Sequence, residues 1–533
     1  MKLLVLCNFA CKQAPNPSII LKTFYDMVTI ARHTLGRCKF YTNDEDELMI
    51  IHEALRVFQE GAIHSEKYKD GTWDGFYKFY DNNDYFDFGL VLDLKRHLKK
   101  NDVKYKTVDY YQRPLKNIVT DISYSAEPRF YQKEAVEAFF RYDIGIIIVP
   151  TRGGKTYISG QCIRNINLKN EEFKTAFFVD GIDLFNQTVK ELAEWLEVSV
   201  DEIGTINSDG FNPKRVTVAM VQTVNAALTP RKSRKKDAPA PDPKPLRDMT
   251  KFLNSVSFLI VDEIQDNSSD KRLTIYRKCR NAKYILGLSA TPFKQNNEEV
   301  AMKVKGFFGG TCYEIKKSIL QEEGFLSIDK AILISNMTVK QGNPQTYQDF
   351  LKSCIFDNDK RNKILKMILE ICVRNEWKSL FLFNSKYHGR KVSQMTGHVF
   401  IDGDNDGKER EKEKQAFLEN KKGGILLASN IYRKGITLPE VELVVISDGG
   451  LEGTNVIQKF GRVLGVTETK KKSIVIDILD IGNKYFSEHS LNRLEIYNDQ
   501  IGENRIEIYE NENDEHWSDL EESIKEWLSE NRM

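Results

Sequence analysis

The chain has 533 residues, more than one core accommodates, so two to four domains are expected. Hydrophobic residues make up 41% and charged residues 29%, the balance of a soluble globular protein, which excludes a mostly disordered or fibrous chain. The net charge of +1 conceals an asymmetry: Gln500–Met533 carries eleven acidic residues against Arg505, Lys525 and Arg532, so the rest of the chain is basic and a polyanion-binding body stays open.

In chain order, Met1–Phe9 is apolar but too short for a signal peptide. Cys7 and Cys11 read as core residues, because no His or further Cys completes a metal set. Residues 1–117 read as a small α+β domain. Its Trp73, Phe76, Tyr77, Phe79 and Tyr80 alternate as a half-buried strand does, and they admit either a core or a nucleic-acid contact. Lys95 and Arg96, with Lys99 and Lys100, form a basic helix-like stretch suited to backbone phosphates. The polar stretch Asn117–Glu127, closed by Pro128, leads into a unit spanning 118–323. There Ile144–Val149, Ala176–Val179, Val216–Met220, Phe258–Val261 and Tyr284–Leu288 read as buried strands. Between them Ile182, Phe185, Val189, Leu192 and Trp195 share one helix face.

Residues 229–247 interleave five prolines with Arg and Lys, the composition of a flexible surface insertion. After Gly324 a second unit, 324–490, repeats the pattern with strands at Leu380–Phe383, Ile425–Ala428, Leu443–Ile446 and Ile474–Ile478. Strands alternating with helices predict parallel α/β sheets, here two in tandem. Residues 491–533 read as an acidic tail in which Trp517, Leu520, Ile524, Trp527 and Leu528 recur at near-helical spacing. A partner-binding helix, a lid on the basic body and a solvated helix all fit. No apolar run approaches the ~20 residues of a bilayer span. The eight cysteines show no CxxC or disulfide spacing, so a reducing cytoplasm is the expected compartment.

The residues from Val149 to Thr156 (Val-Pro-Thr-Arg-Gly-Gly-Lys-Thr) follow a buried strand and open a helix, the setting in which N-terminal amides face an anion. Thr151, Gly153 and Gly154 would line such a loop, Lys155 would reach the β and γ phosphates of a nucleotide, and the Thr156 hydroxyl would ligate Mg2+. The strand Phe258–Val261 runs into Asp262 and Glu263, at the sheet edge where open α/β sheets bind ligands. Asp262 would hold Mg2+, and Glu263 would orient and deprotonate the attacking water.

Lys155-Thr156, Asp262-Glu263 and Ser289-Ala290-Thr291 stand in the order and spacing of the superfamily 2 helicases, which the chain resembles over roughly residues 129–480. The resemblance implies tandem RecA-like domains, with Arg129 and Gln132 in an adenine-reading element. It implies nucleic-acid contacts from Gln187, Gln222, Thr223 and His388, and coupling through Ser289 and Thr291. Ala428–Ile436 resembles motif V, with Gly435 at the nucleotide, and Gln458–Arg462 resembles motif VI, with Gln458 and the finger Arg462 in catalytic roles. The sequence departs from the family pattern at Gly465, where a second arginine is usual, and at Arg152 and Thr437. The N-terminal layout is similar to that of the UvsW-type recombination helicases of tailed phages. That likeness implies an ATP-dependent enzyme unwinding or branch-migrating forked, branched or R-loop DNA, in a host cytoplasm if phage-encoded. The competing expectations are a duplex translocase or RNA helicase that leaves DNA strands paired, and an ATP-binding protein without turnover.

Overall fold

The structure is a computed structural model and describes residues 27–112, 121–229, 244–293, 297–337, 346–420, 423–429, 438, 440–447, 449, 461, 465–510 and 514–532. Cys7, Cys11, Gly435, Thr437, Gln458 and Arg462 lie outside the described residues, as do the 117/118 boundary and most of the 229–247 insertion.

The N-terminal domain holds a four-stranded sheet in the order Tyr85–Asp87, Arg37–Tyr41, Val28–Arg32, Tyr105–Asp109. Helices Glu45–Ala54 and Val91–Lys100 accompany it. The first starts at Asp44, whose carboxylate accepts the amides of Asp46 and Glu47. The second buries Val91, Leu94 and Leu98, which recur at helical spacing, and so leaves Arg96, Lys99 and Lys100 to solvent. The aromatic run takes the core reading in part. Phe76 packs edge-on against Phe58 at 5.3 Å, Tyr80 lies 6.2 Å from Phe40, and the Trp73 indole donates to the Phe76 carbonyl.

This domain is docked on the first lobe by charge and by close backbone approach. Arg277 reaches Asp87 at 2.7 Å and Lys305 reaches Asp93 at 2.5 Å. Gly89 sits where a Cβ would fall 1.8 Å from the Lys305 carbonyl oxygen, so only glycine permits the contact.

The first lobe is an eight-stranded sheet in the order Gly210–Asn212, Gly204–Asn207, Val216–Met220, Thr175–Val179, Phe258–Val261, Tyr284–Ser289, Ile144–Ile148, Thr311–Glu314. Every pairing is parallel except the outer hairpin. The central strands are buried along their whole length, which explains their continuous Val/Ile/Leu/Phe character. The helix Lys244–Ser255 begins inside the expected insertion, so Lys244–Arg247 belong to an ordered element whose buried face is Met249, Phe252 and Leu253.

The second lobe is a wholly parallel seven-stranded sheet. Its order is Phe400–Ile401, Gly424–Ser429, Lys378–Phe383, Leu443–Ile446, Lys472–Ile481, Ile328–Met337, Ile506–Glu510. The expected acidic tail is part of this lobe. The 490/491 boundary falls inside one helix, Lys484–Ile501, and Ile506–Glu510 is the sheet's edge strand. The helix Asp514–Leu528 inserts Leu520, Ile524 and Leu528 into the same core as Trp377 and Phe381. Acids of this helix and of the turn after it meet lobe cations, with Arg374–Glu521 at 2.8 Å and Lys472–Glu530 at 2.7 Å. Beneath lie two enclosed ion pairs, Arg361–Asp480 at 3.0 Å and Arg493–Asp477 at 2.8 Å.

The lobes share a core that includes Leu320 and Leu326 of the connecting segment, and Arg410 reaches Asp183 across them at 3.9 Å.

Candidate active site

The phosphate loop joins the strand Ile144–Ile148 to the helix Lys155–Lys169. Gly154 has φ +81, and a Cβ there would lie 2.5 Å from Gln132 Nε2, so the loop closes against the start of the helix Phe130–Tyr142. Arg152 takes φ +68, an uncommon backbone for a branched-free but long side chain, and burial pushes its guanidinium down to about 10. Tyr131 anchors the loop: its buried hydroxyl donates to the Gly153 carbonyl at 2.8 Å and accepts from Arg129 at 3.2 Å. Gln132 Oε1 accepts the Arg129 amide, and the Arg129 guanidinium lies 4.6 Å over the Phe325 ring of the interlobe segment.

Opposite the loop, Lys155 Nζ is 3.4 Å from Glu263 Oε1. Glu263 adopts φ +47, a costly conformation for a non-glycine residue, two positions past the end of the strand Phe258–Val261. Gln265 Nε2 donates to Glu263 Oε2 at 2.6 Å. Gln265 Oε1 in turn accepts the Ser289 hydroxyl at 2.6 Å, and Ser289 Oγ accepts the Thr291 amide at 2.8 Å. The side chains of Gln265 and Ser289 are almost wholly enclosed, so this relay runs without competing water. Gln265 was legible only as the fourth residue of Asp-Glu-Ile-Gln, with no role attached.

Asp262 is buried, and burial first, then the neighbouring Glu263 carboxylate, push its carboxyl up toward neutrality against the pull of Lys155. Two adjacent carboxylates, one of them held above its ordinary range, make a donor set that a divalent cation would relieve. The helix Lys155–Lys169 is capped by Gly154, which offers no side chain to its first amides, as suits an anion-binding terminus. A nucleoside triphosphate and magnesium fit this donor set: Thr156 and Asp262 could hold the metal, and Gly153, Gly154 and Lys155 could hold the phosphates.

Lobe 2 approaches the same loop. Thr151 and Thr291 line a cavity of about 460 Å³ together with Lys317, Asn498 and Arg505. Lys470 donates to the Gly465 carbonyl at 2.9 Å, and burial, then the Arg152 charge, push its ammonium well below the ordinary range. The segment carrying Gly465 thus lies close enough to the phosphate loop for two cations to repel.

The expected nucleic-acid residues divide. Gln222 is exposed at the start of the helix Val221–Leu228, donates to Asp180 Oδ1, and is followed by Thr223. Gln187 donates to Glu191 within the helix Ile182–Leu196. Lys95 and Arg96 sit on the N-terminal domain, Arg96 paired with Asp93 at 3.1 Å. His388 is a correction. It is fully enclosed between Phe356 and Phe383, with Nε2 2.8 Å from Asn362 Oδ1, so its ring is a core hydrogen-bonding group and reaches no strand.

Comparison with known proteins follows the same lines. Residues 125–294 match the family described as type III restriction enzyme, res subunit, and residues 359–465 match the helicase conserved C-terminal domain. The chain is 23% identical over 500 residues to the ATP-dependent DNA helicase uvsW of Enterobacteria phage T4, covering 84% of this chain and 94% of that one. It is 24% identical over 473 residues to the DNA 3'-5' translocase XPB2 of Sulfurisphaera tokodaii, covering 80% and 97%. Among solved structures, a point variant of S. cerevisiae Dbp5 bound to RNA and ADP BeF3 shares the fold, with a TM-score of 0.53, 16% identity and coverage of 75% and 94%. The crystal structure of T4 UvsW aligns with 91% of this chain and 99% of its own, with a TM-score of 0.44 and 19% identity.

Proposed function

We propose, from the premise that the chain belongs to the superfamily 2 helicases, that it couples ATP hydrolysis to unwinding or branch migration of forked, branched or R-loop DNA. It is an ATP-hydrolysing helicase or translocase by family. The choice of DNA is supported by the two relatives whose names specify a DNA helicase and a DNA translocase. The observation that carries the catalytic reading is the Lys155–Glu263 approach at 3.4 Å with Glu263 held by Gln265.

In this reading Lys155 draws the β and γ phosphates into the loop, and Glu263 Oε1 accepts the proton of the attacking water. Gln265 keeps the second oxygen of Glu263 occupied, so that the carboxylate presents one face to the reaction. Magnesium, when bound beside Asp262 and Thr156, neutralises charge developing on the phosphate oxygens. Arg462 and Gln458 are proposed to complete the site from lobe 2, and Gly435 to border the nucleotide. The resulting closure depends on the γ phosphate, which is how hydrolysis would drive relative motion of the lobes along a strand.

The test is ATP turnover with single-stranded, duplex, forked and four-way DNA and with an RNA–DNA hybrid. Stimulation greatest on branched DNA, together with strand separation, is the expected result; stimulation by RNA alone refutes the DNA assignment. The second reading, a duplex translocase, is favoured by the archaeal relative's name. It predicts displacement of a triplex-forming strand without separation of the duplex.

A further inference from the structure

Besides the Ser289–Gln265 relay, which ends on the Glu263 carboxylate, a second hydrogen-bonded path crosses the sheet edge and ends on the backbone carbonyls of Asp262 and Glu263. The strands Val216–Met220, Thr175–Val179 and Phe258–Val261 are neighbours and parallel, so their carboxyl ends come out together. Those ends deliver Gln222, Asp180 and Asp262 to one row.

The side chains then join. Gln222 Nε2 donates to Asp180 Oδ1. The second oxygen of Asp180 accepts Arg272 Nη2 at 3.0 Å. Arg272 Nη1 donates to Asn267 Oδ1 at 2.7 Å and to the Asp266 carbonyl at 2.8 Å. Asn267, with no exposed surface, donates through Nδ2 to the carbonyls of Asp262 at 2.9 Å and Glu263 at 3.1 Å. An exposed residue expected at the nucleic acid is thereby connected, through three side chains, to the backbone that fixes the strained Glu263.

We propose that Arg272 is a positioning residue that transmits nucleic-acid engagement at Gln222 to the catalytic carboxylates. The inference rests on the reading that nucleic acid stimulates this ATPase, and adds the route by which it does so. The guanidinium suits the task because its planar fork serves two partners at once, Asp180 on one nitrogen and Asn267 on the other; an ammonium on a flexible stem does not hold both in one geometry. If a phosphate or base takes the amide of Gln222, Asp180 loses one donor and its charge falls more heavily on Arg272. The pull on Asn267 changes, and with it the φ/ψ of the Asp262–Glu263 turn.

The test uses the full chain with Arg272→Gln and Arg272→Lys. Basal ATP turnover, melting temperature, DNA affinity and DNA-stimulated turnover are measured on each. In Arg272→Gln the expected result is basal turnover and DNA affinity within about twofold of wild type, with maximal stimulation reduced roughly 5- to 30-fold. Arg272→Lys restores the charge but not the fork, and recovers little of the stimulation. Adding Asp180→Asn to Arg272→Gln lowers stimulation no further, because both act on one path. Full stimulation in a folded Arg272→Gln protein overturns the proposal. So does a loss confined to DNA affinity, which would make Arg272 a binding residue. Should wild type itself show no stimulation by any nucleic acid, the functional reading fails first, and that is visible in the control without any variant.

Discussion

Lys155 Nζ stands 3.4 Å from Glu263 Oε1, a cation against the carboxylate that is expected to take a proton from water. Each is a counterion of the other. Triphosphate binding would draw Lys155 toward the phosphates and release Glu263 for its task. Lys155→Ala is expected to lower ATP turnover by about 100-fold or more, since one charged donor at the reacting phosphates is removed. Nucleic-acid binding stays close to wild type, and a phosphate-release assay paired with fluorescence anisotropy checks both. Glu263→Gln keeps nucleotide binding and loses turnover, so a labelled ATP analogue should remain bound after mixing with DNA.

Asp262 supplies a pH dependence. Its carboxyl is pushed up from the ordinary carboxylate range toward neutrality, so the folded chain binds this proton more tightly than the unfolded chain. Stability from this group is therefore fully present below the ordinary carboxylate range and is lost progressively as pH rises from there through neutrality. A divalent cation displaces the proton and removes that cost. The rise in melting temperature produced by Mg2+ and ADP should be larger at mildly alkaline than at mildly acid pH. Asp262→Asn should abolish the difference.

The second lobe hides a charge whose partners are all internal. Asp477 accepts from Arg493 Nε at 2.8 Å and from the Tyr497 hydroxyl at 2.9 Å, with no solvent access at either carboxylate or guanidinium worth counting. Asp477→Ala strands the Arg493 cation and should destabilise the lobe by about 3–5 kcal/mol. Urea unfolding reads this, and Asp477→Ala combined with Arg493→Met should recover much of the loss.

The basic helix of the N-terminal domain offers a salt test. If Lys95 and Arg96 contact phosphates, replacing both by Ala lowers the slope of log binding constant against log salt by about 0.9 per contact. An unchanged slope returns the helix to a solvated face.

Much of the architecture was legible because the central strands are buried on both sides and therefore read as unbroken apolar runs. Ile144–Ile148 and Phe258–Val261 are of this kind, and each carries its chemistry on the residue or loop that follows. The edge strands were not legible. Gly210–Asn212 is exposed throughout and Thr311–Glu314 is half-buried at best, so neither shows an apolar run to read. In the site, Lys155 and the two carboxylates have local spacing that betrays them, whereas Arg272 and Asp180 are 92 positions apart and meet only through folding. His388 misled because the family resemblance placed it at the nucleic acid; it sits in the first turn of the helix Lys386–Thr396, where Phe356 and Phe383 close over it. The apolar face of Leu520, Ile524 and Leu528 was visible, but the sheet it covers is contributed by strands far earlier in the chain.

The docking of the N-terminal domain has a mechanical corollary. Its ties run to lobe 1: Asp87 to Arg277, Asp93 to Lys305, Gln59 to Glu299, and the Tyr77 hydroxyl to Asp270 on the very helix that carries Arg272. A domain fastened to one jaw of a hinge swings with that jaw. Each opening of the crevice would carry the Lys95–Lys100 helix past lobe 2 like an outrigger, so a duplex arm resting on it would be levered relative to the strand held between the lobes.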